Sequence, residues 1–189
     1  METIISRSEK RTLEIAKKLA KELKKKASQG VCICLYGELG AGKTTFTKGF
    51  ATGLGLPSRS VKSPTFTLVR KYKIGSIQLN HCDFYRITDP DDLLAEDFEE
   101  MMEHPESITL VEWPERITSL LPSRRLEIHF TQTGPTTRTL TIIEKTGPKI
   151  SSRNSSSSTG CPSIFRNTGK RWQQWRCFLG KKSWPPVKK

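Results

Sequence analysis

Apolar positions along the chain change period several times, and each change marks an element. From Ser6 to Gln29, Leu13, Ala16, Leu19, Ala20 and Leu23 recur at spacings of three and four, which predicts an amphipathic helix over 6–29. Ser6 with Glu9 has the form of a capping box, Gly30 is the stop signal, and Lys24, Lys25 and Lys26 suit the negative end of the helix dipole. VCICLY at 31–36 is a continuous apolar run, as in a strand buried on both faces of a parallel sheet. A second helix follows from Lys43, with Phe46 and Phe50 on one face and Gly53 and Gly55 ending it before Pro57.

TFTLVRKYKI (65–74) and SIQLNHCDFY (76–85) flank Gly75 and predict a hairpin. The acidic stretch 88–107 predicts a helix capped by Thr88 or Asp89 with Pro90 at its first position. SITLVEW (107–113) predicts another buried strand, and RLEIHF with RTLTII, on either side of TQTGPTT, a final hairpin. Strands alternating with helices predict an α/β three-layer domain with a mostly parallel central sheet, over residues 1–147.

Charge divides the chain. There are 32 Lys and Arg against 19 Asp and Glu, a formal +13, but the last acid is Glu144. Residues 148–189 carry ten basic side chains, leaving 22 basic against 19 acidic before them, a net +3. That tail is Ser-rich and then interleaves Trp172, Trp175 and Trp184 with basic residues, a composition expected to be disordered when alone. Two readings of it stay open: RNA binding by phosphate neutralisation and base stacking, or an accessory extension, even one translated out of frame. No apolar run approaches the ~20 residues that span a bilayer, and the N-terminus lacks the apolar core of a secretory signal, so a cytosolic protein without membrane contact is expected. The five cysteines form no CxxC pair; Cys32 and Cys34 fall on one strand face, where small buried hydrophobes are expected.

The chemistry concentrates at Gly37-Glu38-Leu39-Gly40-Ala41-Gly42-Lys43-Thr44, a full match to GxxxxGK[ST] between a buried strand and a helix, which makes the expected α/β domain P-loop NTPase-like. Glycines let backbone curl around phosphate oxygens without Cβ atoms in the way, and the helix adds its positive end. Gly37 through Thr45 are therefore the candidate phosphate contacts, with Lys43 reaching the β and γ phosphates and Thr44 binding Mg²⁺. Hydrolysis also needs acids at the carboxyl edge of the sheet. Glu112 and Asp83 end two strands there and are the candidates for metal and water. Ser63-Pro64-Thr65 stands where such domains keep a γ-phosphate-sensing loop; Thr65 either senses phosphate or caps the next strand. Trp113 either covers the nucleotide or packs the rim. His81 reads as a packed strand residue, and His104 and His129 have no company that suggests catalysis. No arginine finger stands out near the loop, and the aim of Arg86 is open.

In combination, GELGAGKTTFTKGFATGLG, SPTFTLVRKY, HCDFYRITDPDDL and LVEWPERI followed by LLP and RLEIHF resemble the TsaE family over roughly residues 6–145. The resemblance implies a small Mg²⁺-dependent ATPase that acts with two partners, TsaD and TsaB, in attaching threonylcarbamoyl to adenosine 37 of tRNAs reading ANN codons. It implies ATP on the loop, Thr44, Glu112 and Asp83 around Mg²⁺, Ser63 and Thr65 in the sensing loop, and Trp113 beside the nucleotide. Contact with tRNA would be made through the complex, and turnover alone would be slow. The segment after Gly147 has no counterpart in the usual family members. The residues alone admit two other readings: a small-molecule or nucleoside kinase on the same scaffold, and an RNA-binding module driven by the tail.

Overall fold

The computed structural model describes residues 1–25, 27, 30–89, 98, 100–102 and 104–147. The tail at 148–189 and half of the acidic stretch, including Pro90 at the expected first helical position, lie outside the described residues, whereas the expected caps Thr88 and Asp89 are described. Seven strands form one sheet: β1 (Glu2–Ser6), β2 (Val31–Tyr36), β3 (Val69–Ile74), β4 (Ile77–Asp83), β5 (Ser107–Glu112), β6 (Arg125–Gln132) and β7 (Arg138–Lys145), in the order β1-β7-β6-β2-β5-β4-β3. The four central strands, β6, β2, β5 and β4, run parallel. β3 and β7 are antiparallel to their neighbours through the two hairpins the sequence predicts.

Register sorts the side chains onto two faces. Leu35 lies beside Glu112 and Ile128, and Asp83 beside Glu112, so Ile33, Leu35, Leu110, Glu112, His81, Asp83 and Phe130 share one face. Helix α2 (Lys43–Leu54) covers this face: Phe46 meets Phe130 edge-on with ring centroids 5.7 Å apart. Phe46 and Phe50 are fully buried, contributing about 1.5–3 kcal/mol each relative to exposure. The opposite face carries Cys32, Cys34, Cys82 and Val111, covered by the helical residues Phe98, Met101 and Met102, with Cys32 Sγ 3.8 Å from Met102 Sδ. Three layers follow, as the sequence predicts. The three described cysteines are free and buried, which for Cys32 and Cys34 is the expected role of small hydrophobes. Burial pushes the Cys82 thiol far up from its ordinary value.

Three local expectations are corrected. Glu2–Ser6 is an edge strand next to β7, and helix α1 (Glu9–Lys24) starts later than 6, capped by Ser8, whose Oγ accepts from the Arg11 N–H at 3.1 Å. The Ser6 hydroxyl is buried instead against Thr12 at 2.8 Å. Gly53 lies inside α2; the stop is Gly55, at φ 116°. A Cβ on Gly53 would sit 2.6 Å from Lys17 O, and one on Gly49 2.7 Å from Leu13 O. These two glycines therefore let α1 and α2 touch backbone to backbone. No helix among the described residues is long and apolar enough to cross a membrane.

Candidate active site

The loop from Gly37 to Gly42 joins the carboxyl end of β2 to the first turn of α2. Gly37, Gly40 and Gly42 have φ of 143°, 78° and 103°, in the left-handed region that side-chain-bearing residues avoid. At Gly37 a Cβ would also lie 2.8 Å from Phe130 O, so the loop enters against β6 with no room for a side chain. Gly42 is the residue that begins α2, and no side chain caps the helix. The first-turn amides are thus available to an anion, with the helix dipole favouring one.

Lys43 is buried at 5% exposure although it carries a charge. Its ammonium donates to Gly37 O and to Glu38 O, the latter at 3.0 Å, and stands 3.8 Å from the centre of the Trp113 ring. Burial lowers its pKa from 10.5, opposed by the nearby carboxylates of Glu112, Glu115, Asp83 and Glu38. The charge is held by backbone carbonyls and an aromatic face rather than by one carboxylate, which leaves it exchangeable onto a stronger anion.

Glu112, at the end of β5, is the centre of the polar network. Its Oε2 accepts from the Thr44 hydroxyl at 2.9 Å, and its Oε1 from the Thr47 hydroxyl at 3.2 Å and from His81 Nε2 at 2.8 Å. Asp83 lies beside it in register on β4. Asp83 Oδ2 accepts from Thr65 at 2.6 Å and from Ser63 at 3.0 Å, and its Oδ1 from the Tyr85 N–H at 3.2 Å. The structure thus places Thr44 with Glu112, and Ser63 and Thr65 with Asp83, in two hydrogen-bonded groups on neighbouring strand ends, the last two hydroxyls coming from a loop that sequence reading could place only by position. β3 begins four residues after Thr65, at Val69, so Thr65 does not cap that strand.

Other candidates resolve as follows. The Thr45 hydroxyl turns to Glu9 on α1 at 3.5 Å, which leaves its backbone N–H as the group able to meet a phosphate. Leu39 is exposed at the loop tip. Trp113 takes a left-handed backbone conformation, φ 61° and ψ 48°, and packs against Tyr85 with ring centroids 5.1 Å apart. Arg86 stacks on Phe66, 4.4 Å from the ring centre. His129 stacks on Tyr36 and pairs with Glu127 at 3.3 Å on the sheet face opposite α2.

Sequence reading missed three residues. His81 is a packed strand residue, as expected, but its ring is fully buried and bonded to Glu112, with Nδ1 lacking a partner. Period-2 alternation from Asp83 could have put it on the acidic face. Thr47 lies one turn beyond Lys43 and gives its hydroxyl to Glu112. Arg138 reaches the loop from β7, and nothing local announces it.

The donor set suits a hard cation: two carboxylates and hydroxyls, all oxygen. Among the described residues no group of three or more His, Cys, Asp or Glu side chains could hold a metal by itself. Such a set fits Mg²⁺, which is usually held by one or two carboxylates together with substrate phosphates and water, rather than an all-protein cage.

A parallel central sheet, a glycine loop at the carboxyl end of its middle strand and a helix with free first-turn amides define a P-loop-type α/β domain. The sequence profile described as "Threonylcarbamoyl adenosine biosynthesis protein TsaE" matches residues 6–140, and the chain belongs to that family. Among its relatives are the tRNA threonylcarbamoyladenosine biosynthesis proteins TsaE of Bacillus subtilis and Haemophilus influenzae. The first is 43% identical over 129 residues, covering 68% of this chain and 79% of that protein. The second is 40% identical over 119 residues, covering 62% and 74%. The crystal structure of Bacillus subtilis YdiB superposes with a TM-score of 0.58 at 34% identity, over 77% of this chain and 86% of that one.

Proposed function

We propose that this protein is a Mg²⁺-dependent ATPase required for forming the threonylcarbamoyl group on adenosine 37 of ANN-reading tRNAs, acting with TsaD and TsaB. The pathway follows from the relatives' names; the chemistry rests chiefly on one observation. Thr44, the residue after the loop lysine, gives its hydroxyl to a buried strand-end glutamate 2.9 Å away, beside a second strand-end acid.

In this reading Lys43 moves its ammonium from the carbonyls of Gly37 and Glu38 onto the phosphate oxygens of ATP. The first-turn amides of α2 share that charge. Thr44 and Glu112, with Asp83 beside them, hold Mg²⁺, which when bound neutralises charge on the phosphate oxygens. Glu112 stays fixed through Thr47 and His81 while the Thr44 hydroxyl turns to the metal. Asp83 orients water at the γ-phosphate, and Ser63 and Thr65, held on its carboxylate, respond when that phosphate is present. Arg86 stacks on Phe66 and Arg138 is bonded to backbone carbonyls, so neither of these two is offered as an arginine finger. Turnover by the isolated protein is therefore slow, and the partner proteins raise it.

Calorimetry with ATP and Mg²⁺ tests the reading: wild-type protein binds and Lys43→Ala loses tight binding. Undiminished ATP affinity in Lys43→Ala would rule the phosphate-loop assignment out.

A further inference from the structure

Arg138 is the first residue of β7, 96 positions beyond Gly42, and comes from the far side of the β6–β7 hairpin. Its Nε donates to Ala41 O at 2.8 Å, one Nη to Gly40 O at 3.5 Å and the other to Thr136 O at 3.2 Å. The guanidinium is thus spent on backbone carbonyls, two of them in the loop. The side chain lies directly behind Gly42, where a Cβ would meet Arg138 Nε at 3.2 Å. The hairpin that presents it is closed by Thr133 N–H donating to Thr137 O at 3.0 Å and by the pairing of Gln132 with Arg138.

A trans peptide is planar, so its N–H points opposite to the carbonyl of the residue before it. Holding the Gly40 and Ala41 carbonyls from one side therefore aims the Ala41 and Gly42 N–H groups away from Arg138. The Ala41 N–H is occupied, donating to Glu38 O at 3.1 Å. The shorter bond from Arg138, to Ala41 O, fixes the peptide whose N–H belongs to Gly42. Glycine cannot hold that orientation by itself, because it lacks the steric limits that restrict other residues.

We infer that Arg138 is a positioning residue: it clamps the outer carbonyls of the loop and thereby presets the Gly42 N–H for phosphate, without touching the phosphate. This rests on the proposed role of the loop as the ATP site. Without the clamp the Gly42 N–H has to be ordered when phosphate arrives, and an affinity about tenfold weaker, about 1.4 kcal/mol, is expected.

The full chain tests this by calorimetry with MgATP and by hydrogen exchange at individual amides. Arg138→Ala is expected to bind MgATP about tenfold more weakly, with Arg138→Lys, which keeps one charged donor, in between. In nucleotide-free protein the Ala41 amide, which donates to Glu38 O inside the clamped loop, is expected to exchange about tenfold faster in Arg138→Ala, while Leu79 in the centre of β4 keeps its protection. A merely structural role would move both. Should Arg138→Ala not fold, Arg138→Gln carries the same measurements. Affinity within twofold of wild type, or unchanged exchange at Ala41, overturns the clamp. If wild-type protein fails to bind MgATP, the ATP-site reading fails, and Ala41 exchange still decides whether Arg138 holds the loop.

Discussion

Replacing Glu112 by Ala and by Gln separates its structural load from its charge. The carboxylate is 2% exposed and accepts from Thr44, Thr47 and His81. In Glu112→Ala these three donors do not suffer equally. Thr47 keeps Lys43 O as an acceptor at 3.2 Å, and Thr44, at the loop, can turn to water. His81 has no such exit: its ring is fully buried and its Nδ1 already lacks a partner, so Nε2 would lose its acceptor outright. An unsatisfied buried polar group costs about 1–3 kcal/mol, and the cavity left by the side chain adds to it. A loss of about 2–3 kcal/mol is expected, which for a domain of this size lowers the melting temperature by about 4–10 °C. Glu112→Gln keeps the volume and one acceptor for His81, and its amide can donate to a threonine hydroxyl that reverses its role, so it should melt within about 3 °C of wild type. Both variants should lose Mg²⁺-dependent ATP hydrolysis while retaining more of their ATP binding. Thermal unfolding by circular dichroism, alongside phosphate release at saturating ATP, reads both effects. Equal melting temperatures for the two variants would refute the His81 argument, and hydrolysis by Glu112→Gln at the wild-type rate would refute the role of the charge.

Other expectations are as direct. Gly53→Ala gains about 1 kcal/mol of helix propensity but drives a Cβ to 2.6 Å from backbone of α1, and overpacking of that kind costs about 1–3 kcal/mol; the melting temperature should fall, and a rise would show that the helices can separate freely. Ser8→Ala removes the N-cap of α1 and should cost about 1 kcal/mol in urea unfolding, whereas Ser6→Ala should leave the cap intact. Burial lowers the pKa of Lys43, and phosphate favours its protonated form, so affinity for ATP should fall as pH rises through that lowered value, before 10.5 is reached. Near that value, calorimetry in buffers of different ionisation enthalpy should detect proton uptake on ATP binding. Its absence in wild type, or its persistence in Lys43→Met, would contradict the assignment to Lys43.

What could be read in the sequence was what local pattern determines. The run VCICLY, the glycine loop after it and the Phe46 and Phe50 stripe gave the strand, turn and helix around the site, and both hairpins followed from their Gly-centred turns. Glu112 was legible because the apolar run ITLV ends on it at the carboxyl edge, and Asp83 because it ends a second predicted strand just past Leu79. Errors arose where a distant neighbour decides. ETIIS is too short to announce a strand and is one because β7 stands beside it. Gly53 looks like a stop signal, but its purpose is the approach of α1, which only the packed helices reveal. His81 lies two positions before Asp83, yet its bond to Glu112 depends on β4 and β5 being neighbours in that register. Arg138 is the extreme case, a basic residue in a hairpin whose partner carbonyls lie 97 and 98 positions earlier.

Reconstitution gives the most direct test of the proposed function. Purified full-length protein is mixed with TsaD, TsaB, the threonylcarbamoyl donor, an ANN-reading tRNA, Mg²⁺ and ATP, and threonylcarbamoyladenosine is quantified by mass spectrometry of digested tRNA. Sustained formation is expected with wild-type protein and not with Lys43→Ala. Equal formation with Lys43→Ala, or none with a wild-type protein that binds ATP, would contradict a nucleotide-driven role in this modification.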